Sequence, residues 1–323
     1  MKKLSFILTL CGLLTVSTGL AKTPETITAS PTIATKEFPD IARFDSIANY
    51  GDIDINLRQS TDSSTTISLS GASNLLEFVK IRNNDNTLEV RFETPRHAIV
   101  EDNNKLQLNV TCPNIGKVNV AGSGDINMYG IVNVQSFIAD ISGSGDFNCE
   151  RITCPNTMTI TLSGSGYGQV DNLQCSTFNF TNTGSGEIEI GVLEAPTANI
   201  HLEGSGDFDC DTMISQDIAA TTLQSGDIDI ENLSVETIIA FTKGSGSITL
   251  NGEAINADLE TAGAGGISAI GLKTVSVEAR SGGSGDITCY ALKSINAQTS
   301  GSGTIMYSGN PMQTQTEGRI KTQ

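Results

Sequence analysis

Gly122-Ser123-Gly124-Asp125-Ile126 decides the fold of this chain, because the chain writes it ten times. It returns as Gly143-Ser144-Gly145-Asp146-Phe147, then from Gly164, Gly184 and Gly204, and as Gln224-Ser225-Gly226-Asp227-Ile228. Further copies start at Gly244, Gly263 (with Ala264 in the middle), Gly283 and Gly301, and neighbouring copies lie 18 to 21 residues apart. A period of that size marks a solenoid in which each repeat buries its apolar face against the next.

The flanks of the motif carry the same message. Four residues before its first position stand Val118, Ala139, Ile160, Phe180, Ile200, Ala220, Ala240, Leu259, Ala279 and Ala297, all apolar. Four residues after it stand Ile126, Phe147, Gly168, Ile188, Phe208, Ile228, Ile248, Ile267, Ile287 and Ile305, with Gly168 the exception. Nine residues after it a third ladder runs from Ile131 and Ile152 to Leu272 and Leu292, broken at Glu253, where Ile255 is expected to compensate. Polar residues such as Asn127, Asn148, Gln169, Glu189, Asp209, Asp229 and Thr249 alternate with the apolar ones and face outward. Short alternating runs joined by glycine corners, with no 3.6-residue stripe, describe strands bending around a narrow core. The expected fold is all-β, a right-handed parallel β-helix with rungs of about 20 residues stacked about 4.8 Å apart.

Within the motif, Gly124, Gly145, Gly166, Gly186, Gly206, Gly226, Gly246, Gly265, Gly285 and Gly303 hold the third position. Such a glycine serves a corner of positive φ, or one where a Cβ would strike the next rung. Asp125, Asp146, Asp207, Asp227 and Asp286 follow the glycine, and short carboxylates commonly satisfy turn N–H groups. Turn chemistry accounts for every residue type in the motif. The alternative is calcium: Asp125 and Asp146, like Asp207 and Asp227, fall in consecutive turns, and a divalent cation would relieve their repulsion. Calcium-binding glycine-aspartate repeats, however, have a nine-residue period. The structural corner is therefore preferred, and no cofactor is expected.

The remaining segments divide the chain. Residues 1–21 read as a signal peptide, with a basic start, an apolar run and small residues before a cleavage point after Ala21. Cys11 follows Leu10, a poor context for lipidation. Residues 22–37 read as a flexible leader, 38–114 as irregular strand-rich opening turns that cap the solenoid, 115–309 as the regular β-helix, and 310–323 as a polar tail. No segment of the mature chain is long and apolar enough to be an integral membrane helix.

A net charge of −17 argues against nucleic acid as a partner. Six cysteines follow the cleavage point. Cys149, Cys210 and Cys289 share a core position. Cys154 and Cys175 share another in adjacent turns and could bond, although neighbours on one face of parallel strands meet the disulfide dihedral poorly. His97 and His201 are far apart, and no catalytic constellation can be assembled. Carboxylates are plentiful, but nothing singles out a catalytic pair.

The repeated Gly-Ser-Gly-Asp-Ile signature, after an export signal and a strand-rich opening, resembles the head GIN domain family of Bacteroidota, labelled auto-transporter adhesins. The similarity spans about Phe38 to Pro311 and includes the closing Tyr307-Ser308-Gly309-Asn310-Pro311. The resemblance implies a right-handed β-helix, an envelope or surface location, an adhesive or scaffolding role, and no catalytic residues. A true auto-transporter carries a C-terminal membrane barrel, whereas a short polar tail follows the last rung here. The expectation is an exported protein in the periplasm, on the outer-membrane surface or outside the cell.

The leading functional reading is a non-catalytic binding or scaffold module that presents outward residues such as Asn127, Asn148, Asp209 and Asp229 to a glycan, an envelope protein or a second copy. Two alternatives stand beside it: a polysaccharide lyase or hydrolase, which needs Asp, Glu and Lys or Arg converging in a groove, and a self-associating envelope protein.

Overall fold

Strand alternation on both sides of a glycine corner buries every second side chain, and stacking copies of that unit builds one continuous core. The computed structural model describes residues 26–95, 98–101 and 106–322, and it is a parallel β-solenoid. Its first strands are β1 (Thr26–Thr28), β2 (Ile33–Glu37), β3 (Ser46–Asn49), β4 (Asp54–Gln59), β5 (Thr66–Ala72), β6 (Val79–Asn84), β7 (Thr87–Phe92), β8 (Ile99–Glu101) and β9 (Gln107–Cys112). The regular turns follow as β10 (Lys117–Val120), β11 (Ile126–Asn133), β12 (Phe137–Ile141), β13 (Phe147–Leu162), β14 (Tyr167–Asn182), β15 (Glu187–Glu194), β16 (Thr197–Leu202) and β17 (Phe208–Thr222). They continue as β18 (Ile228–Thr242), β19 (Ile248–Thr261), β20 (Ile267–Ser281), β21 (Ile287–Thr299) and β22 (Ile305–Ser308), and close with β23 (Gln313–Glu317) and β24 (Ile320–Thr322).

Each regular turn has three stretches: face A just after the motif, face B beyond it, and face C leading into the next motif. On face A, Ile126, Phe147, Gly168, Ile188 and Phe208 stack in register, and the column runs on through Ile228 to Ile305. On face C, Val118, Ala139, Ile160, Phe180 and Ile200 do the same, and that column runs on to Ala297. Every apolar member of both columns is buried. Early turns are filled by Phe137 with Phe147 and by Phe178 and Phe180 around Phe208, with ring centroids 5.4 to 6.2 Å apart.

Face B follows the expected ladder in part. Ile152, Leu173, Leu193, Met213, Leu233 and Leu272 are buried, but Ile131, Ile255 and Leu292 are exposed, and Val132, Ala254 and Ala291 are buried in their place. The pairing register shifts between Met128 and Ile131, between Ile230 and Leu233, and between Ala269 and Lys273. One residue gained or lost inverts which side chain points inward. Gly130 (φ 80°) and Gly252 (φ 134°) mark two of these irregular sites.

Both ends differ from the sequence expectation. The part of the leader from Thr26 onward is strand: β2 pairs antiparallel with β5, and β1 pairs with β8. The polar tail also joins the stack, with β23 parallel to β21 and β24 parallel to β22. In the opening region, β3 and β4 form a true turn lying beneath β10 and β11. The chain then doubles back, so that β7 and β9 stack on the far side of β3 and β4. Antiparallel β5, β2 and β6 cover that end, with Lys36, Lys80 and Arg82 on the outermost strands. Charged antiparallel edges discourage further pairing there.

Candidate interaction face

The motif glycines are required by close approach. A Cβ on Gly124, Gly206 or Gly303 would stand 2.3, 1.8 or 2.2 Å from a carbonyl oxygen of the turn below. None of the motif glycines has positive φ, so of the two explanations open from the sequence, the collision is the operative one. Behind this corner lies a feature the sequence reading missed, a column of buried polar side chains. Thr222, Thr242 and Ser281 donate to the carbonyls of Gly226, Gly246 and Gly285 at 2.6, 2.8 and 2.9 Å. Asn182 does the same for Gly186 at 2.6 Å. Each is four residues before its acceptor, and each satisfies a carbonyl that no strand reaches.

The motif aspartates form a second column on the outside of the corner. Asp125 accepts the N–H of Asp146 at 2.9 Å, and Asp146 accepts that of Tyr167 at 2.9 Å. Asp207 accepts from Asp227 at 2.7 Å, Asp227 from Ser247 at 2.6 Å, and Asp286 from Thr304 at 2.7 Å. Each carboxylate thus ties one turn to the next through its backbone. Burial pushes the Asp125 carboxyl up, against the pull of the Asp146 N–H. The four aspartates weighed as calcium ligands fall into two separated pairs, with Tyr167 and Glu187 in the slots between them. Among the described residues, no group of three or more His, Cys, Asp or Glu is poised to hold a metal.

Outward residues of face A make an ordered polar surface. Asn127, Asn148, Gln169, Glu189, Asp209, Asp229, Thr249, Ser268 and Thr288 stand in register, one per turn. At one end the column is neutral, and the Asn148 amide donates to Asn127 at 2.9 Å. In the middle, at Glu189, Asp209 and Asp229, it is acidic, and Thr249, Ser268 and Thr288 make the other end neutral again. Tyr167 donates its hydroxyl to Glu189. Asp209 is pushed up to about 7, first by burial and then by the hydrogen-bonded Glu187 and its neighbours Asp229 and Asp207. The Tyr167 hydroxyl is likewise driven up, by burial and then by Glu189. The signal for this surface was present in the sequence: residues 152–242 hold 13 Asp and Glu and not one Lys or Arg.

Other sequence candidates are scattered. His201 faces outward on face C and meets Glu203 at 3.0 Å, while His97 and the signal peptide lie outside the described residues. Arg280 joins Asp258, Glu278 and Glu260 at 2.5, 2.9 and 3.5 Å, a mixed-charge cluster whose single cation is fully occupied. Cys154 and Cys175 are register partners, as expected from the repeat, but both are free thiols, so the bond considered from the sequence is not formed. They line a largely apolar groove of about 570 Å³ at the corner between faces B and C, walled by Pro155, Pro196 and Ile214. Among the described residues, no helix is long and apolar enough to cross a membrane.

Comparison with known proteins follows this geometry. Residues 43–213 and 199–311 match the family model described as "Putative auto-transporter adhesin, head GIN domain". No curated protein matches the chain. Among solved structures, a "putative adhesin" from Bacteroides fragilis is 23% identical, with 92% of this chain and 100% of that chain covered and a TM-score of 0.30. One from Parabacteroides distasonis is 19% identical over 93% and 100% of the two chains, with a TM-score of 0.39. A third, from Parabacteroides merdae, is 20% identical over 93% and 99%, with a TM-score of 0.34.

Proposed function

We propose, because the chain belongs to the head GIN domain family, that it is a non-catalytic, adhesin-like binding rod whose face A meets an envelope partner or a glycan. One observation carries the reading: nine outward polar side chains stand in unbroken register on face A, from Asn127 to Thr288. A stacked column spaces donors and acceptors at the strand interval of about 4.8 Å, and the rigid core holds them there without further ordering cost. The neutral amide end suits hydrogen bonding to hydroxyl-rich or amide-rich ligands. The acidic middle of the column repels anionic ones and draws cationic groups. Lyase or hydrolase chemistry finds less support. The carboxylates of face A have no Lys or Arg between residues 152 and 242 to work with, and the guanidinium of Arg280 is already held by three acids.

The test is binding of the purified chain to isolated cell envelopes and to a glycan panel. Asp209→Lys with Asp229→Lys alters face A, and Ser234→Lys serves as a control on face B. Loss of binding in the first alone is the expected result; equal binding by both variants would move the contact elsewhere. Protease shaving of intact cells, read against a periplasmic marker, decides where such a partner can be met. Loss of the protein with survival of the marker places the rod outside the cell.

A further inference from the structure

We propose that Cys154 and Cys175 are a dithiol couple, oxidised by exchange with an external disulfide to an intramolecular bond that ties β13 to β14. The two residues are in-register neighbours on adjacent parallel strands. Strand spacing of about 4.8 Å lies inside the Cα separation that disulfides accept. Both side chains are buried on the inward face of their strands. Strict parallel pairing would resist the torsion a disulfide needs, but here the ladder stops at this pair. The next partners are Thr157 and Thr177, so β13 spends two residues, Pro155 and Asn156, where β14 spends only Ser176. The backbone after Cys154 is therefore released from the register and can turn.

Pairing is also selective. Cys149 stacks between Met128 and Val170, Cys210 between Ile190 and Ile230, and Cys289 between Ala269 and Tyr307. Cys112 pairs with Gln59. Each of these four is flanked by residues that cannot bond to it, and burial drives its thiol up to about 11 or 12. Within the pair the two thiols shift in opposite directions, Cys154 down and Cys175 up, each chiefly because of the other. Access comes through the groove that both residues line, and Cys175 keeps 6% of its surface exposed there while Cys154 keeps none.

In the exchange, one thiolate of the pair attacks one sulfur of a disulfide RS–SR and expels RS⁻, leaving a mixed disulfide. The other thiolate then attacks the protein sulfur of that mixed disulfide and expels the second RS⁻. The protons of the two protein thiols end on two RSH, so one dithiol is oxidised and one external disulfide is reduced.

The folded full-length protein is incubated with oxidised glutathione, denatured, alkylated, and analysed by intact mass and peptide mapping. The expected result is loss of two thiols, with a single Cys154–Cys175 crosslink that dithiothreitol reverses. Cys154→Ser should stop at a glutathione adduct on Cys175, and Cys149→Ser should still form the crosslink. Six unreacted thiols in the folded protein, a crosslink spread over the other cysteines, or a Cys154→Ser protein free of adduct would each overturn the proposal.

Discussion

At the motif glycines space forbids a side chain, whereas at Gly130, outside the motif, only the backbone angle resists one. At Gly206 a Cβ would meet the Gly186 carbonyl at 1.8 Å and the Asn182 amide at 2.5 Å. Gly206→Ala must push two turns apart, so a loss of about 3 kcal/mol or more is expected in urea unfolding. Gly130 has a positive φ but nothing within 4 Å of a Cβ, and Gly130→Ala should cost only about 1–2 kcal/mol. Equal losses would show that the corner yields more readily than its geometry implies. Asp209 makes a prediction of a different kind. Its carboxyl is raised from an ordinary 3.8 to about 7, so between those values the folded chain holds a proton that the unfolded chain has released. Its contribution therefore favours folding as pH falls from about 7 toward 4, and is lost as pH rises through 7. Urea midpoints at pH 5 and pH 8 should differ less in Asp209→Asn than in the parent, in the direction that removes this term.

At the scale of the turn, inner and outer corner columns work together. Thr242→Val keeps the shape but leaves the Gly246 carbonyl without its buried donor, which should cost about 1–3 kcal/mol. Thermal and urea unfolding would measure it, and an unchanged midpoint would mean that the column is ornamental. The columns also explain what could be read from sequence. Faces A and C were legible because they sit at fixed distances from the motif: Ile126 and its successors, and Val118 and its successors, keep their phase through every turn. Face B was legible only in part, from Ile152 to Leu233 and at Leu272, because the turn lengths vary from 18 to 21 residues and the register shifts that absorb this fall between the motif-phased stretches. Ile131 was placed inside and Val132 overlooked for that reason alone. The Thr222–Thr242–Ser281 column was hidden differently. A threonine before a glycine corner looks like any turn residue until the buried carbonyl four positions on is seen. The end strands escaped because β2 and β23 are mostly polar and take their partners from remote or terminal turns.

For the molecule as a whole, −17 charges on a stacked scaffold mean that like charges are held about one strand spacing apart. Salt screens such repulsion, the Debye length falling from about 30 Å at 0.01 M to about 8 Å at 0.15 M. The melting temperature should therefore rise with sodium chloride. Calcium at matched ionic strength should add nothing, and a chelator should remove nothing, because the motif carboxylates are already engaged with backbone N–H groups. A calcium-specific rise would reinstate the cation reading of Asp207 and Asp227.

The doubling-back of the opening strands also gives the rod a history. A solenoid laid down in chain order could close each turn on the one just made, across a loop of about 20 residues. Here Ser46 finds Lys117, and Ile55 finds Ile126, both 71 positions along the chain. By the logarithmic rule for loop closure, joining ends across the longer span costs about 1 kcal/mol more. The opening turn emerges first during synthesis, yet one of its two faces waits until residues 117–129 have been made. The repeats can nucleate and propagate among themselves, and the first-made strands become the last to be enclosed. In pulse-labelled refolding, amides of β3 and β4 should gain protection after those of β17 and β18, so that the rod assembles against the order in which it is translated.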